Sequence, residues 1–341
     1  MNYITCNYII FHLYIFIDFV LNLIKLYTTK LMDYNKIYTV IFIVFFSIGC
    51  DHVIYNDVEI VRFEKEFYNS DEKKLDDLID EYPFLFPDQF SKTTWINKIN
   101  DSIENDLYNY SLIEFKDYNF NSNQVQSIFH NANNILDNFK TPTLITLISK
   151  SDFNERIIYS GPYLFISLNL YFGSNYYTNI PNYLSFNMNK LFIPNDIAFK
   201  ISERFVQSKD DRTLISNMIH FGKILYINKL LNKEDEDWVI FNTNQKKMKW
   251  TIDNEFEIWS YFVENEYFFN TNIDLRSRFI SLSPYSKFNL DIDKESPGGI
   301  GRWLGYKIVD SYMKNNKVSL NDLIDLDHYT IFKNSKYKPF K

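Results

Sequence analysis

Apolar positions divide the chain into two parts that meet at residue 50. Two long apolar stretches, at 8–24 and 37–46, precede this residue. After it, apolar residues recur at the spacings that are typical of amphipathic helices and short strands. We therefore predict a hydrophobic N-terminal segment, a tether over residues 50–57 and a folded domain over residues 58–338.

The folded part is predicted to be mainly helical. Apolar residues spaced three or four positions apart predict helices between Ser70 and Pro83 and in the segments 93–115, 122–140, 194–207, 211–231, 254–269, 299–315 and 319–332. Alternating or short apolar runs predict strands at 56–69, 141–149, 156–160 and 162–173. Because the last three strands are close neighbours in the sequence, we expect one α+β domain built around a small antiparallel sheet.

Residues 32–49 have the layout of a bacterial export signal. A short segment with the positive Lys36 precedes the apolar stretch 37–46, which is too short to span a bilayer. Small residues and Cys50 follow, so the segment resembles a lipoprotein signal, although Ser47 stands where Leu is usual. We predict that Cys50 is the lipidation site. The alternative is an uncleaved signal anchor in which Cys50 is an inert apolar residue.

Residues 1–31 precede this signal and have two interpretations. The stretch 8–24 is about long enough to span a bilayer, but it contains His12 and Asp18. In the first interpretation the start codon is assigned too early, Met32 is the true start, and residues 1–31 are a non-native extension. In the second, the stretch is a genuine transmembrane helix that anchors the protein without a lipid.

Charge and cysteine content exclude several classes of function. The formal net charge is −7, whereas nucleic-acid binding requires a basic surface, so no nucleic-acid partner is expected. Cys6 and Cys50 are the two cysteines and form neither a disulfide framework nor a Cys-x-x-Cys motif. The sequence contains no HExxH motif and no Gly-x-Ser-x-Gly motif. We therefore predict no metal and no other cofactor.

Aromatic residues are unusually frequent, with 32 Phe and 26 Tyr. Codon usage in an AT-rich genome is one explanation, and an aromatic ligand-binding surface is the alternative. In both cases the chain can form a large core, because each fully buried side chain of this size contributes about 1.5–3 kcal/mol.

Glycines cluster in the stretch ESPGGIGRWLGYK at 295–307. It contains Pro297, Gly298, Gly299, Gly301, Arg302 and Gly305. We interpret it as a tight turn followed by a helix start, in which Gly301 and Gly305 allow close approach to a neighbouring helix. The alternative is an anion site at the helix N-terminus, assisted by Arg302. The glycines do not have the order of a dinucleotide-binding fingerprint.

The folded part contains a series of longer stretches that together indicate a family. They are VEIVRFEKEFY (58–68), EYPFLFPDQF (81–90), TWINKINDSI (94–103), TPTLITLIS (141–149), DRTLISNMIHFGKILYI (211–227), IWSYFVENEYFFNT (258–271), SPYSKFNLDIDKESPGGIGRWLGYKIVDSYM (283–313) and KNSKYKP (333–339). In this order they resemble the gliding-motility lipoproteins called GldB, from gliding bacteria of the Bacteroidetes lineage. The resemblance implies a non-enzymatic lipoprotein of the cell envelope that faces the periplasm. It would be held to the membrane by acyl chains on Cys50 and would contact other proteins of the gliding or an associated secretion machinery.

A fainter similarity links the chain to zincin-type metallopeptidases, which carry HExxH on one helix and a Glu before a Gly on a second. Here the first helix has ISERF (201–205) without histidine, and the second has Phe221 before Gly222. A catalytic zinc needs about three protein ligands, and neither helix supplies them. This resemblance implies a scaffold without its metal, with Glu203 as a relic of the general base. A hydrolase of the cell envelope is the alternative function.

Overall fold

The structure is a computed structural model that describes residues 55–150, 152–207 and 211–340. The predicted signal, the residues before it and Cys50 therefore lie outside the described residues. The chain from Tyr55 onward forms one compact unit.

Most of the described chain is helical, and the helices stand on both sides of a short β segment in the sequence. The first part contains β1 (Ile60–Val61), α1 (Phe63–Tyr68), α2 (Glu72–Glu81), α3 (Lys92–Asn100), α4 (Ser102–Glu114) and α5 (Asn123–Ile135). The β segment contains β2 (Thr143–Leu147), β3 (Ile157–Ser160) and β4 (Tyr163–Ser167).

The part after the β segment contains helices, 3-10 turns and loops, and no further strand among the described residues. Its helices are α6 (Asn182–Ser185), α7 (Ile193–Phe205), α8 (Leu214–Leu231), α9 (Asp237–Ile240), α10 (Gln245–Asp253), α11 (Glu255–Glu264), α12 (Ile273–Phe279), α13 (Ile300–Asn315), α14 (Leu320–Asp325) and α15 (His328–Asn334). Single 3-10 turns stand at Pro83–Leu85, Phe153–Glu155, Leu168–Leu170, Lys190–Phe192 and Asp293–Glu295. The predicted α+β class is confirmed.

The sheet is mixed, so the predicted antiparallel arrangement is wrong for most of it. The strand order is β1-β2-β4-β3, and the β1–β2 and β2–β4 pairs are parallel. The β3–β4 pair is antiparallel, because a two-residue turn of Gly161 and Pro162 joins these strands. β2 lies inside the sheet, and its residues Leu144, Ile145 and Thr146 are all buried. Burial on both faces is typical of strands in parallel pairing.

The predicted strand over 56–69 is also wrong. Only Ile60–Val61 is a strand, and helix α1 begins at Phe63. The partial alternation of this segment also contains Phe63 and Phe67 at helical spacing. Their rings lie 5.6 Å apart and both contact Phe86, so tertiary packing selects the helix.

Two segments predicted as single helices are each divided by an aspartate. Segment 93–115 becomes α3 and α4, because Asp101 ends the first helix and its side chain accepts the Glu104 N–H. Segment 319–332 becomes α14 and α15, because Asp327 caps the second of these through the Thr330 N–H. An aspartate that caps a helix start stabilises the break by about 1 kcal/mol.

Helix α8 joins the two apolar clusters that form the core. Its N-terminal half, including Met218, packs with Phe262 of α11 and with helix α13. Its C-terminal half, including Ile224, packs with Ile197 of α7 and with the sheet. Apolar residues occupy nearly all sides of this helix, which is expected for a helix that is packed by other elements along both halves.

Candidate functional site

A cavity of about 650 Å³ lies beside the middle of α8. Helices α7, α8, α10 and the start of α13 form its walls, together with the loops 241–244 and 282–284. It reaches solvent at Glu203 and Leu282, whose exposed fractions are 42% and 41%. Its volume lies in the range of small-molecule sites, which is about 300–1,000 Å³.

Hydrogen bonds to serines hold the turn that precedes α13. The Ser286 hydroxyl donates to Pro297 O at 2.7 Å and accepts the Ile300 N–H at 3.1 Å. The Ser296 hydroxyl donates to Asp293 O at 2.7 Å, and both serines are buried. The turn is therefore held against the loop that contains Ser286 and, just before it, the cavity-lining residues 282–284.

Two glycines in this turn occupy positions that a side chain would disturb. Gly299 has φ +70° and is the N-cap of α13, a left-handed conformation that glycine adopts without strain. A Cβ on Gly298 would lie 2.0 Å from Ser283 O. The turn therefore passes close to the 282–284 loop and brings Arg302 to the cavity wall.

Arg302 is held on two sides. Its Nε donates to Ile280 O at 2.7 Å, and its guanidinium carbon lies 4.0 Å from the ring centre of Phe221. Within the described ranges, its two terminal nitrogens have no hydrogen-bond partner. Burial lowers the pKa of this guanidinium to about 10, although the charge of Glu203 opposes the shift. At neutral pH Arg302 is still a cation.

Among the described residues that line the cavity, Lys247 is the second basic side chain, after Arg302, that forms no ion pair with a carboxylate. Its Nζ donates to Pro284 O at 2.5 Å and to Ser296 O at 2.7 Å. Burial lowers the pKa of this ammonium group, and the charge of Glu295 opposes the shift. The carboxylate of Glu295 itself forms an ion pair with Lys246.

The other charged groups of the cavity wall are paired. Arg156 forms an ion pair with Asp196 at 2.8 Å, and Lys200 forms one with Glu203 at 2.8 Å. These two pairs cancel in charge, so Arg302 and Lys247 leave the wall with an excess of positive charge. This excess lies in a chain whose formal net charge is −7.

The predicted close approach of helices occurs next to the cavity. A Cβ on Gly305 would lie 1.8 Å from Met218 O, and a Cβ on Gly222 would lie 2.4 Å from Gly305 O. A Cβ on Gly301 would lie 2.8 Å from Phe279 O. The backbones of α8 and α13 are therefore in direct contact at the two glycines Gly222 and Gly305.

The residues of the faint metallopeptidase similarity have ordinary structural contacts here. Glu203 lies on α7, and its carboxylate pairs with Lys200. Phe221 lies on α8 beneath Arg302, and Gly222 contacts α13. Within the part of the chain that the structure describes, no group of three or more His, Cys, Asp or Glu could hold a metal ion.

Sequence reasoning identified Pro297, Gly298, Gly299 and Arg302, all of which line the cavity, but it did not identify Lys247. It also did not identify the pair formed by Arg156 and Asp196 (both in the wall). Arginine is scarce in this lysine-rich chain, and Arg156 and Arg302 both line the cavity. The rare arginines are therefore a feature of the sequence from which the site could have been predicted. No comparable signal marks Lys247.

Comparisons with known proteins identify the family to which the chain belongs. None of the helices in the described ranges is long and apolar enough to cross a membrane. No curated protein and no solved structure matches the chain. The family model described as gliding motility protein GldB matches residues 50–339, which is well over half of the chain. The resemblance to this family is therefore confirmed, and the chain belongs to the gliding motility protein GldB family.

Proposed function

We propose that this protein is a lipid-anchored component of the cell envelope that acts in gliding motility, or in an associated secretion process. It faces the periplasm and acts through contacts with other envelope proteins, without catalysis. The observation that supports this proposal most directly is that the family match begins at Cys50. That residue is also the predicted lipidation site, so two independent patterns point to Cys50 as the start of the mature protein.

The anchor follows from the chemistry of acylated cysteines. The signal of residues 32–49 directs export and is removed, and Cys50 carries a diacylglycerol and an acylated amino group. A single acyl chain binds a bilayer only marginally, whereas two or more chains hold a protein stably. The residues after Cys50 then lead to the compact unit, which begins at Tyr55.

Replacing the lipidation site should remove the anchor. In a gliding bacterium that lacks its own copy, we expect Cys50→Ser to give a protein that incorporates no palmitate analogue and does not restore gliding. The physical reason is that serine has no thiol to accept the diacylglycerol. Metabolic labelling, membrane fractionation and colony spreading measure these effects.

Cys6→Ser is the matched control, because it removes the only other cysteine of the chain. We expect this variant to be labelled and to restore gliding as the wild type does. Mass spectrometry of the mature N-terminus should find acylated Cys50. Equal labelling of the Cys50→Ser variant, or a mature chain that retains residues 8–24, would reject the lipid anchor.

A role without catalysis makes a second prediction, at Glu203. Its carboxylate forms an ion pair with Lys200, and both side chains are partly exposed. Because exposed ion pairs contribute about 0–1 kcal/mol, Glu203→Gln should change stability little and should leave gliding intact. Thermal unfolding and colony spreading measure the two effects.

The alternative of a zincin-like hydrolase predicts the opposite result. If Glu203 were a general base, a Glu203→Gln protein that folds normally would not restore gliding, because the amide cannot accept the proton. Tightly bound zinc in the purified full-length protein would also favour the hydrolase. Lys200→Gln is the control for the ion pair alone, and it should behave like Glu203→Gln if the role is structural.

A further inference from the structure

The cavity wall contains a cation whose hydrogen-bonding groups are only partly used. Arg302 has five N–H donors in a planar fork. One of them, on Nε, donates to Ile280 O. Within the described chain, the donors on the two terminal nitrogens have no partner, although the residue lines the cavity. Four N–H groups are thus available to a ligand.

The fixed orientation of Arg302 makes these donors specific. The Ile280 carbonyl and the ring of Phe221 hold the guanidinium from two directions, at 2.7 Å and 4.0 Å. A guanidinium held in this way loses little conformational entropy when it binds a ligand. Its two terminal nitrogens match the spacing of two oxygens of a carboxylate or a phosphate, so it can bind either in bidentate fashion.

Lys247 adds a second positive charge to the same cavity. Its ammonium group has three N–H donors, two of which are bound to Pro284 O and Ser296 O. Carbonyl oxygens do not neutralise the charge. Burial lowers the pKa of both Lys247 and Arg302, because desolvation disfavours their charged forms. An anion in the cavity would offset this cost for both groups.

The nearby carboxylates do not take the place of that anion. Asp196 pairs with Arg156, and Glu203 pairs with Lys200. Among the described residues neither forms an ion pair with Arg302 or Lys247. The unpaired charges of the wall are therefore both positive, and the cavity repels cations and attracts anions.

The remaining wall combines aromatic and aliphatic side chains with uncharged polar ones. Phe199, Phe221, Phe241 and Trp303 all line the cavity. Such a wall binds the apolar part of an organic molecule, while a few polar groups fix its orientation. A volume of about 650 Å³ accommodates an organic ligand in addition to its charged group.

We propose that this cavity binds an organic oxyanion, whose carboxylate or phosphate group contacts Arg302 and is also attracted by the charge of Lys247, and whose apolar part lies against the aromatic side chains of the wall. This site is separate from the lipid anchor, and nothing in its chemistry requires acylation of Cys50. An aromatic ligand surface was one of two explanations for the many Phe and Tyr residues, and the cavity gives that explanation a location.

The proposal is tested by calorimetric titration of the full-length protein in a mild neutral detergent. The probes are 3-phenylpropionate, phenyl phosphate, inorganic phosphate and the neutral 3-phenylpropionamide. We expect at least one of the two organic anions to bind with a dissociation constant of about 1 mM or lower, and the amide to bind about tenfold more weakly or not at all. Preference for the carboxylate or for the phosphate identifies which oxyanion the site takes.

Variants with matched controls place the binding at this cavity. Arg302→Gln should weaken binding of the preferred anion about tenfold, because it removes the charged fork. Lys247→Gln should weaken binding by a smaller factor, because it removes only the second positive charge of the wall. Arg302→Lys keeps the charge but loses the planar fork, so its effect should be smaller but measurable. Arg212→Gln and Lys73→Gln remove the same charges from exposed residues outside the cavity lining and should leave binding nearly unchanged.

Several results would overturn the proposal. They are equal binding of the acid and the amide, no binding of either organic anion at about 1 mM, or equal losses in the cavity variants and their controls. The comparison of acid with amide uses the wild-type protein, so it remains decisive even if Arg302→Gln does not fold. Binding of inorganic phosphate alone would reject the aromatic part of the site and with it the proposal.

Discussion

Gly305→Ala should destabilise the protein by about 3 kcal/mol or more, although alanine is normally the better helix former. A Cβ at this position would lie 1.8 Å from Met218 O and 2.4 Å from Met218 C. These atoms belong to the backbone of α8, so no side-chain rotation can relieve the clash and the two helices must separate. Overpacking of a core costs about 1–3 kcal/mol and sometimes more. Chemical denaturation measures the free energy of unfolding.

The sign of the stability change on Gly305→Ala shows which of two effects is larger. The clash with α8 destabilises the protein, whereas the higher helix propensity of alanine stabilises it. In an unconstrained helix, glycine to alanine stabilises by about 1 kcal/mol. Gly161→Ala is the matched control: a Cβ there meets nothing within 4 Å, so only the φ of +55° opposes it. We expect that control to cost about 1–2 kcal/mol. Stabilisation by Gly305→Ala would show that α8 and α13 are farther apart than described.

A double variant sharpens the test. Gly222 faces Gly305 across the same contact, so Gly222→Ala should also be strongly destabilising. Once one methyl group has separated the helices, the second has more room. We therefore expect Gly222→Ala and Gly305→Ala together to cost less than the sum of their separate effects. Strict additivity would indicate that the two glycines do not share one contact.

Asp196→Ala should destabilise the protein by about 3–5 kcal/mol, because it removes one partner of a mostly buried ion pair. The side chains of Arg156 and Asp196 are only 12% and 15% exposed. The hydroxyl of Tyr171, which is fully buried, donates to Asp196 Oδ2 at 2.7 Å. Burial lowers the pKa of Arg156, but the charge of Asp196 and the contact with Tyr171 raise it overall. The variant leaves that charge without a counterion.

Asp253→Asn is the control for an exposed ion pair. Asp253 pairs with Lys249 at 2.8 Å, and these side chains are 54% and 77% exposed. Because solvent screens such a pair, we expect a change of about 0–1 kcal/mol. Thermal and denaturant unfolding of both variants provide the comparison. A similar small loss for Asp196→Ala would mean that water or another group replaces its contacts with Arg156.

The sequence predicts best where the structure depends on short-range interactions. Helices α8 and α13 were predicted from the spacing of apolar residues, and they are present over Leu214–Leu231 and Ile300–Asn315. The antiparallel β3–β4 pair was also expected, because so short a connection permits no other pairing. In each case the deciding contacts join residues that are only a few positions apart.

The sequence predicts the structure less well where contacts between distant segments determine the conformation or the strand pairing. Segment 56–69 contains both an alternating pattern and the helical spacing of Phe63 and Phe67, and contact with Phe86 selects the helix. The strand neighbours of β2 are β1 and β4, not β3, and no local pattern contains this information. The register of a parallel pair depends on the packing of the helices that connect and cover the strands.

The features of the candidate site also fall into two groups: those that the sequence predicts and those that only the structure shows. Local arrangements of residues were enough to identify three features: the glycine-rich turn with Arg302, the signal-like segment before Cys50, and the stretches that indicate the family. Two other features became visible only in the folded protein: Lys247 lines the same cavity as Arg302, and Asp196 pairs with Arg156 and not with Lys247 or Arg302. The physical reason is that charge pairing and cavity shape depend on distances in space, and these are set only when the helices pack together.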